Sequence, residues 1–453
     1  MRLSYGYKER YYIEGSFGYN GSERFAKKHR MGFFPSVGGA WVASKEPFMM
    51  GAANWLSFLK LRLSYGKVGN DGIINNPRFV HLPSISQGND VVSFRPGENT
   101  IKPYVISGYP NEDITWEIAE QVNFGLEATF FNGLFETTVD IYQQIRHNVL
   151  DKRTVVPEAM GLGIQPLDNI GKVKSQGLDF SGKIQHAFSP DLWVILNGTL
   201  TYNKAVFEEI EEAADKPYYQ WRKGHDISQA VGYIAEGLFR DEQEIANSPV
   251  QGGDLMPGDI RYRDVNDDGV VDVEDAVHIG FPTTPRLIYG FNGFVNYKGL
   301  EFSFAFQGSG QRGFFINPAA MSPFANNHAL LTAIYKDHWS TDNMSERPLW
   351  PRLSTKNIIE HKPQEDASSD KETRMSTYFL RECRFLRCTS LELAYNLPKQ
   401  WSRKLALKNL KVFVRANNPF IISNFDLWDV ELGNNGFNYP IQKTYSVGLN
   451  VNF

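Results

Sequence analysis

The chain alternates apolar and polar residues in segments of about ten residues, the length that a tilted β-strand needs to cross a bilayer. Residues 59–65 and 122–130 show the pattern clearly. In the last segment, five apolar residues alternate with small or polar ones: Tyr445, Val447, Leu449, Val451 and Phe453. Because successive side chains of a strand point to opposite faces, each segment has one apolar and one polar face. This pattern favours an all-β fold.

The same alternation predicts thirteen strands along the whole sequence, with almost no helical periodicity. They cover residues 1–7, 11–20, 34–44, 57–67, 121–131, 134–149, 177–186, 192–203, 287–298, 300–308, 384–397, 409–418 and 444–453. The connections after odd-numbered strands are short, and those after even-numbered strands are mostly long. The long segments are 70–113, 150–176, 204–286, 309–383 and 419–443. This layout is typical of a transmembrane antiparallel β-barrel with short periplasmic turns and long extracellular loops.

The odd strand count indicates an incomplete barrel. Thirteen antiparallel strands place the first and last in the same direction, which prevents antiparallel closure. The first predicted strand is short and starts at Met1, and the N-terminus lacks the apolar region of a secretory signal. We therefore interpret residues 1–453 as the C-terminal part of a larger barrel. Residues 227–239 could form another strand, but counting them would break the alternation of loop lengths, so we place them inside the 204–286 loop.

Composition limits the partners. The 47 Lys and Arg nearly balance the 51 Asp and Glu, so we expect no nucleic-acid partner. The stretch that is richest in apolar residues, 48–61, is interrupted by Asn54, Ser57 and Lys60, so it cannot form a membrane-spanning helix. Two alternatives remain open. One is a secreted or surface Ca²⁺-binding adhesion or scaffold module, in which the strands form β-sandwiches. The other is an autonomous smaller porin, which the strand parity disfavours.

Residues 264–275 fit the calcium-loop template D-x-[DN]-x-[DN]-G. The predicted ligands are five side chains and one backbone carbonyl: Asp264, Asn266, Asp268, Asp272, Asp275 and the carbonyl of Val270. Gly269 allows the sharp turn that brings the oxygens together. Since position 12 is Asp rather than the longer Glu, we expect weaker Ca²⁺ binding. Its role would be structural, ordering a long loop that otherwise has little core to hold it. The alternative is an acidic, solvated turn.

The sequence contains no signature of an enzyme: G-x-S-x-G, H-E-x-x-H and the phosphate-binding G-x-x-x-x-G-K-[ST] are all missing. We expect no catalytic residues. Aromatic residues on the predicted loops could stack on sugars or peptides, or pack the loops together. They are Tyr218, Tyr219, Trp221, Phe425, Trp428, Phe437 and Tyr439.

Several short blocks, in this order and spacing, resemble the SusC/RagA-type TonB-dependent transporters of Bacteroidota outer membranes. They are GSERF at 21–25, GFFPS at 32–36 leading to Trp41, LKLRLSYG at 59–66, GDIRY at 258–262 running into the calcium-type loop, YGFN at 289–292 and FQGSG at 306–310. A closing strand that ends in Phe453 completes the set. The resemblance covers nearly the whole chain.

The resemblance implies an outer-membrane barrel of about 22 strands with an internal plug, of which these would be the last thirteen. It implies TonB-dependent uptake of oligosaccharides or peptides with a SusD-like surface lipoprotein. The signal peptide, the plug and the segment that contacts TonB would lie upstream of this chain. The alternating residues from Tyr445 to Phe453 would be the signal read by the barrel assembly machinery. A siderophore or cobalamin receptor is the nearest alternative.

Overall fold

The fold is given by a computed structural model. It describes residues 1–72, 79–88, 102–156, 160–162, 164–317, 321–324, 329–354, 376–404, 407–434 and 436–452. Phe453, the last residue of the predicted assembly signal, lies outside these residues. The α-helices are short: α1 is Glu242–Ala246, α2 is Thr332–Lys336 and α3 is Lys399–Lys404. No helix in the described ranges is long and apolar enough to span a membrane.

The strands, in chain order, are as follows: β1 Arg2–Tyr7, β2 Tyr11–Gly21, β3 Met31–Val42, β4 Leu56–Asn70, β5 Ser84–Gln87, β6 Tyr104–Gly108, β7 Glu117–Phe130, β8 Phe135–Lys152, β9 Leu167–Ser189, β10 Leu192–Glu209, β11 Ala230–Gly232, β12 Ala235–Leu238, β13 Ile260–Tyr262, β14 Val277–Ile279, β15 Leu287–Tyr297, β16 Leu300–Gly310, β17 Gly313–Phe315, β18 Leu380–Glu382, β19 Phe385–Asn396, β20 Asn409–Ser423 and β21 Thr444–Asn452. Thirteen of them form one antiparallel sheet, in the order β1-β2-β3-β4-β7-β8-β9-β10-β15-β16-β19-β20-β21. The other eight form separate two-stranded sheets.

The thirteen predicted strands are confirmed, and they are the thirteen members of the large sheet. The main differences are at their ends. β9 begins at Leu167 and β10 continues to Glu209, into the segment predicted as the 204–286 loop. Alternation marks only the part of a strand that has an apolar face, whereas backbone pairing continues past it. Residues 227–239 are not a member of the large sheet, as predicted, since β11 pairs with β14 and β12 with β13.

The chain divides into two compact units. The first comprises Met1–Ser181, Asn203–Lys216 and Trp221–Ile227, and the second comprises Gly182–Tyr202, Pro217–Gln220 and Ser228–Phe453. Strands β9 and β10 contribute to both.

The first unit shows the alternation as rows of paired residues across neighbouring strands. One row is apolar throughout and runs from β1 to β8: Tyr5, Ile13, Gly39, Leu63, Phe124 and Ile141. The row of residues next to it along the strands points to the other face, and includes Ser4, Glu14 and Ser64. The sequence pattern therefore becomes two chemically different faces of one sheet.

The second unit repeats this arrangement. Its apolar row crosses six strands from β10 to β21: Val194, Val295, Phe302, Leu393, Val414 and Val447. The β15–β16 hairpin turns on two residues with positive φ, Lys298 at 51° and Gly299 at 86°. Positive φ at both central residues is typical of a type I′ turn, whose backbone twist matches that of the two flanking strands. The β19–β20 connection carries the short helix α3.

Candidate functional site

The apolar face of the large sheet is exposed in both units. In the first unit Leu63 is 58% and Ile141 is 53% exposed, and in the second Val447 is 77% exposed. A soluble protein would not leave whole rows of such side chains in water, because contiguous apolar patches of that extent drive association. An outward apolar band is what a membrane-spanning barrel presents to lipid. This face is the candidate membrane surface.

The opposite face of the first unit carries a network of charged side chains on β4, β7 and β8. Arg62 contacts Glu127 at 2.9 Å and Asp140 at 3.0 Å. Lys60 pairs with Glu127 at 3.3 Å, and the Asn123 amide donates to Asp140 at 2.9 Å. Strand residues with alternating charge were visible in the sequence, but their pairing required the strand register. This face suits water or a polar protein surface.

The predicted assembly signal lies on the edge strand β21. Its described residues pair in register with β20: Tyr445 with Ala416, Val447 with Val414, Leu449 with Val412 and Val451 with Leu410. Tyr445, Val447 and Leu449 are all exposed. They extend the apolar face to the end of the sheet order. Their role as a signal stays a prediction.

The long segments of the second unit share one hydrophobic core, which we call the loop core. Its buried members outside the large sheet are Ala235, Leu238, Ile260, Phe314, Ile316, Met321, Ile334, Trp350, Tyr378, Phe379, Cys383, Phe425 and Val430. These residues come from three predicted loops, 204–286, 309–383 and 419–443. The expectation that the 204–286 loop has little core to hold it is therefore wrong, because Ala235, Leu238 and Ile260 pack against residues of the other two loops.

Three residues of the GDIRY block, Asp259, Ile260 and Tyr262, make contacts in or beside the loop core. Asp259 is buried, and its carboxylate accepts from Arg352 Nε at 2.7 Å and from the Met256 N–H at 2.8 Å. The Gln251 amide donates to the Ile260 carbonyl at 2.7 Å. Burial raises the pKa of Tyr262 to about 12. The sequence marked the block, but the partner Arg352 lies 93 positions away along the chain and had no local signal.

A second buried ion cluster joins β19 to the 419–443 segment. The Arg387 guanidinium donates to both carboxylate oxygens of Asp429, at 2.5 and 2.6 Å, and also to Glu431. Arg387 is buried, so its charge has to be neutralised locally. The cluster fixes this loop against the sheet.

The loop aromatics differ in their surroundings within the second unit. Phe425 is buried in the loop core, with its ring 4.8 Å from the Trp428 ring. Tyr218, Phe437 and Tyr439 are exposed. Phe425 therefore packs the loops, while the exposed rings are the candidates for stacking on a sugar or peptide.

The calcium-type loop has the backbone that its template requires. Asp267 and Gly269 have positive φ, 60° and 88°. Asp264 accepts from the Gly269 N–H at 2.7 Å, and Asp268 accepts from the Val270 N–H at 2.8 Å. Val271, the eighth position, is completely buried beside Tyr233 and Ala276. The loop thus turns back on itself, and the buried Val271 together with backbone hydrogen bonds to Val250 fixes it to the protein.

The six predicted ligands are close in sequence, but the side-chain oxygens of the five Asp and Asn residues accept hydrogen bonds from backbone N–H groups. Asn266 accepts from the Asp268 N–H at 3.1 Å, and Asp272 accepts from the Glu274 N–H at 2.8 Å. Asp275 is fully buried and accepts from the N–H groups of Val265 and Asp272. Burial raises the pKa of Asp275. Among the residues that the structure describes, no three His, Cys, Asp or Glu side chains converge as a metal site would require.

Comparison with known proteins gives a consistent result. A family model described as TonB dependent receptor-like, beta-barrel matches residues 2–343. TonB-dependent receptor P26 of Formosa agariphila is 27% identical over 484 residues, covering 100% of this chain and 45% of the relative. TonB-dependent receptor SusC of Bacteroides thetaiotaomicron is 26% identical over 468 residues, covering 100% and 43%. The chain spans about half the length of the curated relatives it matches.

The solved structure of the RagAB peptide transporter has the same fold, with a TM-score of 0.71 and 23% identity. The match covers 99% of this chain and 47% of the other. The family model covers well over half of the chain, and the sheet has the apolar and polar faces of a membrane barrel. The chain belongs to the TonB-dependent receptor-like β-barrel family, whose members are outer-membrane proteins.

Proposed function

We propose that this chain is the C-terminal part of the barrel of a SusC/RagA-type nutrient importer. The whole protein takes up oligosaccharides or peptides, depends on TonB, and works with a SusD-like surface lipoprotein. TonB contact and the plug belong to the part of the relatives that this chain does not cover. The chain acts by binding and passage of substrate and has no catalytic role.

The observation that carries this proposal is the full-length coverage of the chain by SusC and by three Formosa agariphila TonB-dependent receptors. The RagAB likeness supports the fold, and since RagAB is a peptide transporter it supports peptides as one substrate class. In the proposed arrangement, the apolar rows contact lipid and the polar face with the Arg62 network lines the lumen. The loops joined by the loop core form the outer surface, where Tyr439 and Phe437 are exposed.

The test uses the native outer-membrane polypeptide that contains the peptide 444–453. Cells that carry or lack it are compared for uptake of labelled oligosaccharide and peptide mixtures, with and without an active TonB system. Uptake that needs both the polypeptide and TonB, and co-purification of a surface lipoprotein, are expected. Loss of only siderophore or cobalamin uptake would favour the alternative receptor class. Release of the polypeptide from membranes without detergent would favour the adhesion module.

We also propose that the 264–275 loop binds Ca²⁺ with a structural role. The positive φ of Asp267 and Gly269 and the complete burial of Val271 support a folded loop. Calorimetric titration of the detergent-solubilised protein with Ca²⁺ tests the proposal. Asp268→Asn, which removes one predicted ligand charge, should weaken binding, whereas Asp267→Asn, at a non-ligand position of the same loop, should not. Equal heats for both variants, or none for the wild type, would rule the site out.

A further inference from the structure

The connection between β3 and β4, which we call the insert, is the most structured of the short turns in the first unit. It covers residues 43–55 and contains two 3₁₀ helices, Ala43–Lys45 and Pro47–Ala52. The insert presents large apolar side chains outward: Phe48 is 69% and Met50 is 70% exposed. A turn that served only to reverse the chain would not need these side chains.

One buried carboxylate fixes the shape of the insert. Glu46 accepts from the Tyr11 hydroxyl at 2.5 Å, from the Trp41 indole at 3.3 Å and from Arg10 at 3.3 Å. Glu46 itself is buried. Since it directly precedes the second 3₁₀ helix, these three contacts set the direction in which Phe48 and Met50 leave the sheet.

The apolar surface of the insert continues the apolar face of the sheet. Trp41 lies in the apolar row that pairs Tyr11, Trp41, Leu61, Leu126 and Val139. The Phe48 ring centroid is 6.3 Å from that of Trp41. At the other end of the insert, the Trp55 ring stacks on Phe130 at 6.2 Å. The exposed apolar face therefore extends beyond the ends of the strands, through Phe48 and Trp55.

We propose that the insert is a membrane-interface foot, which places Phe48 and Met50 in the lipid headgroup layer at the short-turn rim of the barrel. Two observations favour lipid over a protein partner. The apolar side chains prolong a lipid-facing surface instead of forming an isolated patch. In addition, the adjacent β1–β2 turn places Lys8 Nζ 5.2 Å from the centre of the Tyr7 ring. Aromatic rings beside lysines are the composition of a membrane interface. The proposal rests on the barrel fold and is independent of the substrate.

The test is spin-label accessibility in outer-membrane vesicles that contain the whole polypeptide. Nitroxides are attached at Phe48→Cys and at Met50→Cys, and the matched control is Glu9→Cys on the neighbouring turn. Cys383 and Cys388 are buried, and a labelled wild-type sample measures any reaction at these two positions. Collisions with oxygen, which partitions into lipid, are compared with collisions with a water-soluble nickel chelate.

If the insert lies in the lipid headgroup layer, labels at 48 and 50 should collide more with oxygen than with the chelate. The label at 9 should collide more with the chelate. Glu46→Gln, which weakens the contacts that set the shape of the insert, should make the label at 48 more mobile and reduce its preference for oxygen. High chelate accessibility at 48 and 50 would place the insert in water and overturn the proposal. Protection from both reagents would indicate contact with protein and would overturn it as well.

Discussion

Removing one charge from the Asp259–Arg352 pair should open the loops of the second unit. The Asp259 side chain is 1% exposed and that of Arg352 is 16% exposed. Asp259→Asn keeps a side chain of the same size but leaves the guanidinium without its counter-charge in a buried site. Breaking one partner of a buried pair costs about 3–5 kcal/mol. At about 1.4 kcal/mol per tenfold change, the open population should rise between about a hundredfold and a few thousandfold.

Hydrogen–deuterium exchange measures this change directly. The amides of Phe239, Gly258 and Arg352 donate to backbone carbonyls beside the pair and report on opening. When closing is faster than chemical exchange, the exchange rate follows the opening equilibrium. The matched control is Glu346→Gln, whose partner Arg240 is also largely exposed. Breaking an exposed pair costs about 0–1 kcal/mol and should change exchange by less than about tenfold.

The reasoning fails if Asp259→Asn and Glu346→Gln accelerate exchange by similar factors. The double variant Asp259→Asn with Arg352→Met gives a further check. Removing both charges should recover part of the loss, because no uncompensated charge remains buried. Exchange in the strands of the first unit should stay unchanged in every variant.

Three further outcomes are expected. Trp350→Ala should destabilise the loop core by about 3–5 kcal/mol, seen as protease cleavage in the 309–383 loop before any strand is cut. Because the pKa of Tyr262 is raised from 10.0 to about 12, its contribution to stability is complete below pH 10 and is lost as the pH rises towards 12. Urea titrations at both ends of this range should show the loss, and Tyr262→Phe should reduce it. Leu63→Arg on the apolar face should lower barrel stability by about 2–4 kcal/mol near the bilayer centre. Ser64→Arg on the polar face should cost much less, and equal heat-modifiable band shifts for the two variants would contradict the assignment of faces.

The strands could be predicted from the sequence because each needs only local information. A run such as Val122, Phe124 and Leu126 alternates with polar residues regardless of what lies elsewhere in the chain. The alternation of short and long connections then indicated that consecutive strands run antiparallel, as in a membrane barrel. The ends of β9 and β10 could not be predicted in the same way, because backbone pairing continues where the regular alternation of apolar and polar residues stops.

The loops were much harder to predict because their contacts join distant positions. Trp350 and Phe379 pack with ring centroids 5.5 Å apart, although no periodic pattern marks either residue. The same is true of Arg387, whose partners Asp429 and Glu431 lie in another segment. The calcium-type loop is the exception, since the hydrogen bonds among its own residues span at most ten positions and its template is visible in the sequence. The sharp turn of its backbone could therefore be predicted from the sequence and is present in the structure. Binding of a Ca²⁺ ion by this loop stays a prediction.

The loop core also limits how such a protein can be re-engineered or diversify. Ala235 and Ile260, Trp350, and Val430 come from three separate loops and bury one another. Grafting one loop from a relative would leave the other two with an ill-fitting apolar surface, even if the graft carried every substrate contact. Exchange of specificity between relatives should therefore succeed when residues 204–286, 309–383 and 419–443 are transferred together. Substitutions at exposed positions such as Tyr439 can be made one at a time.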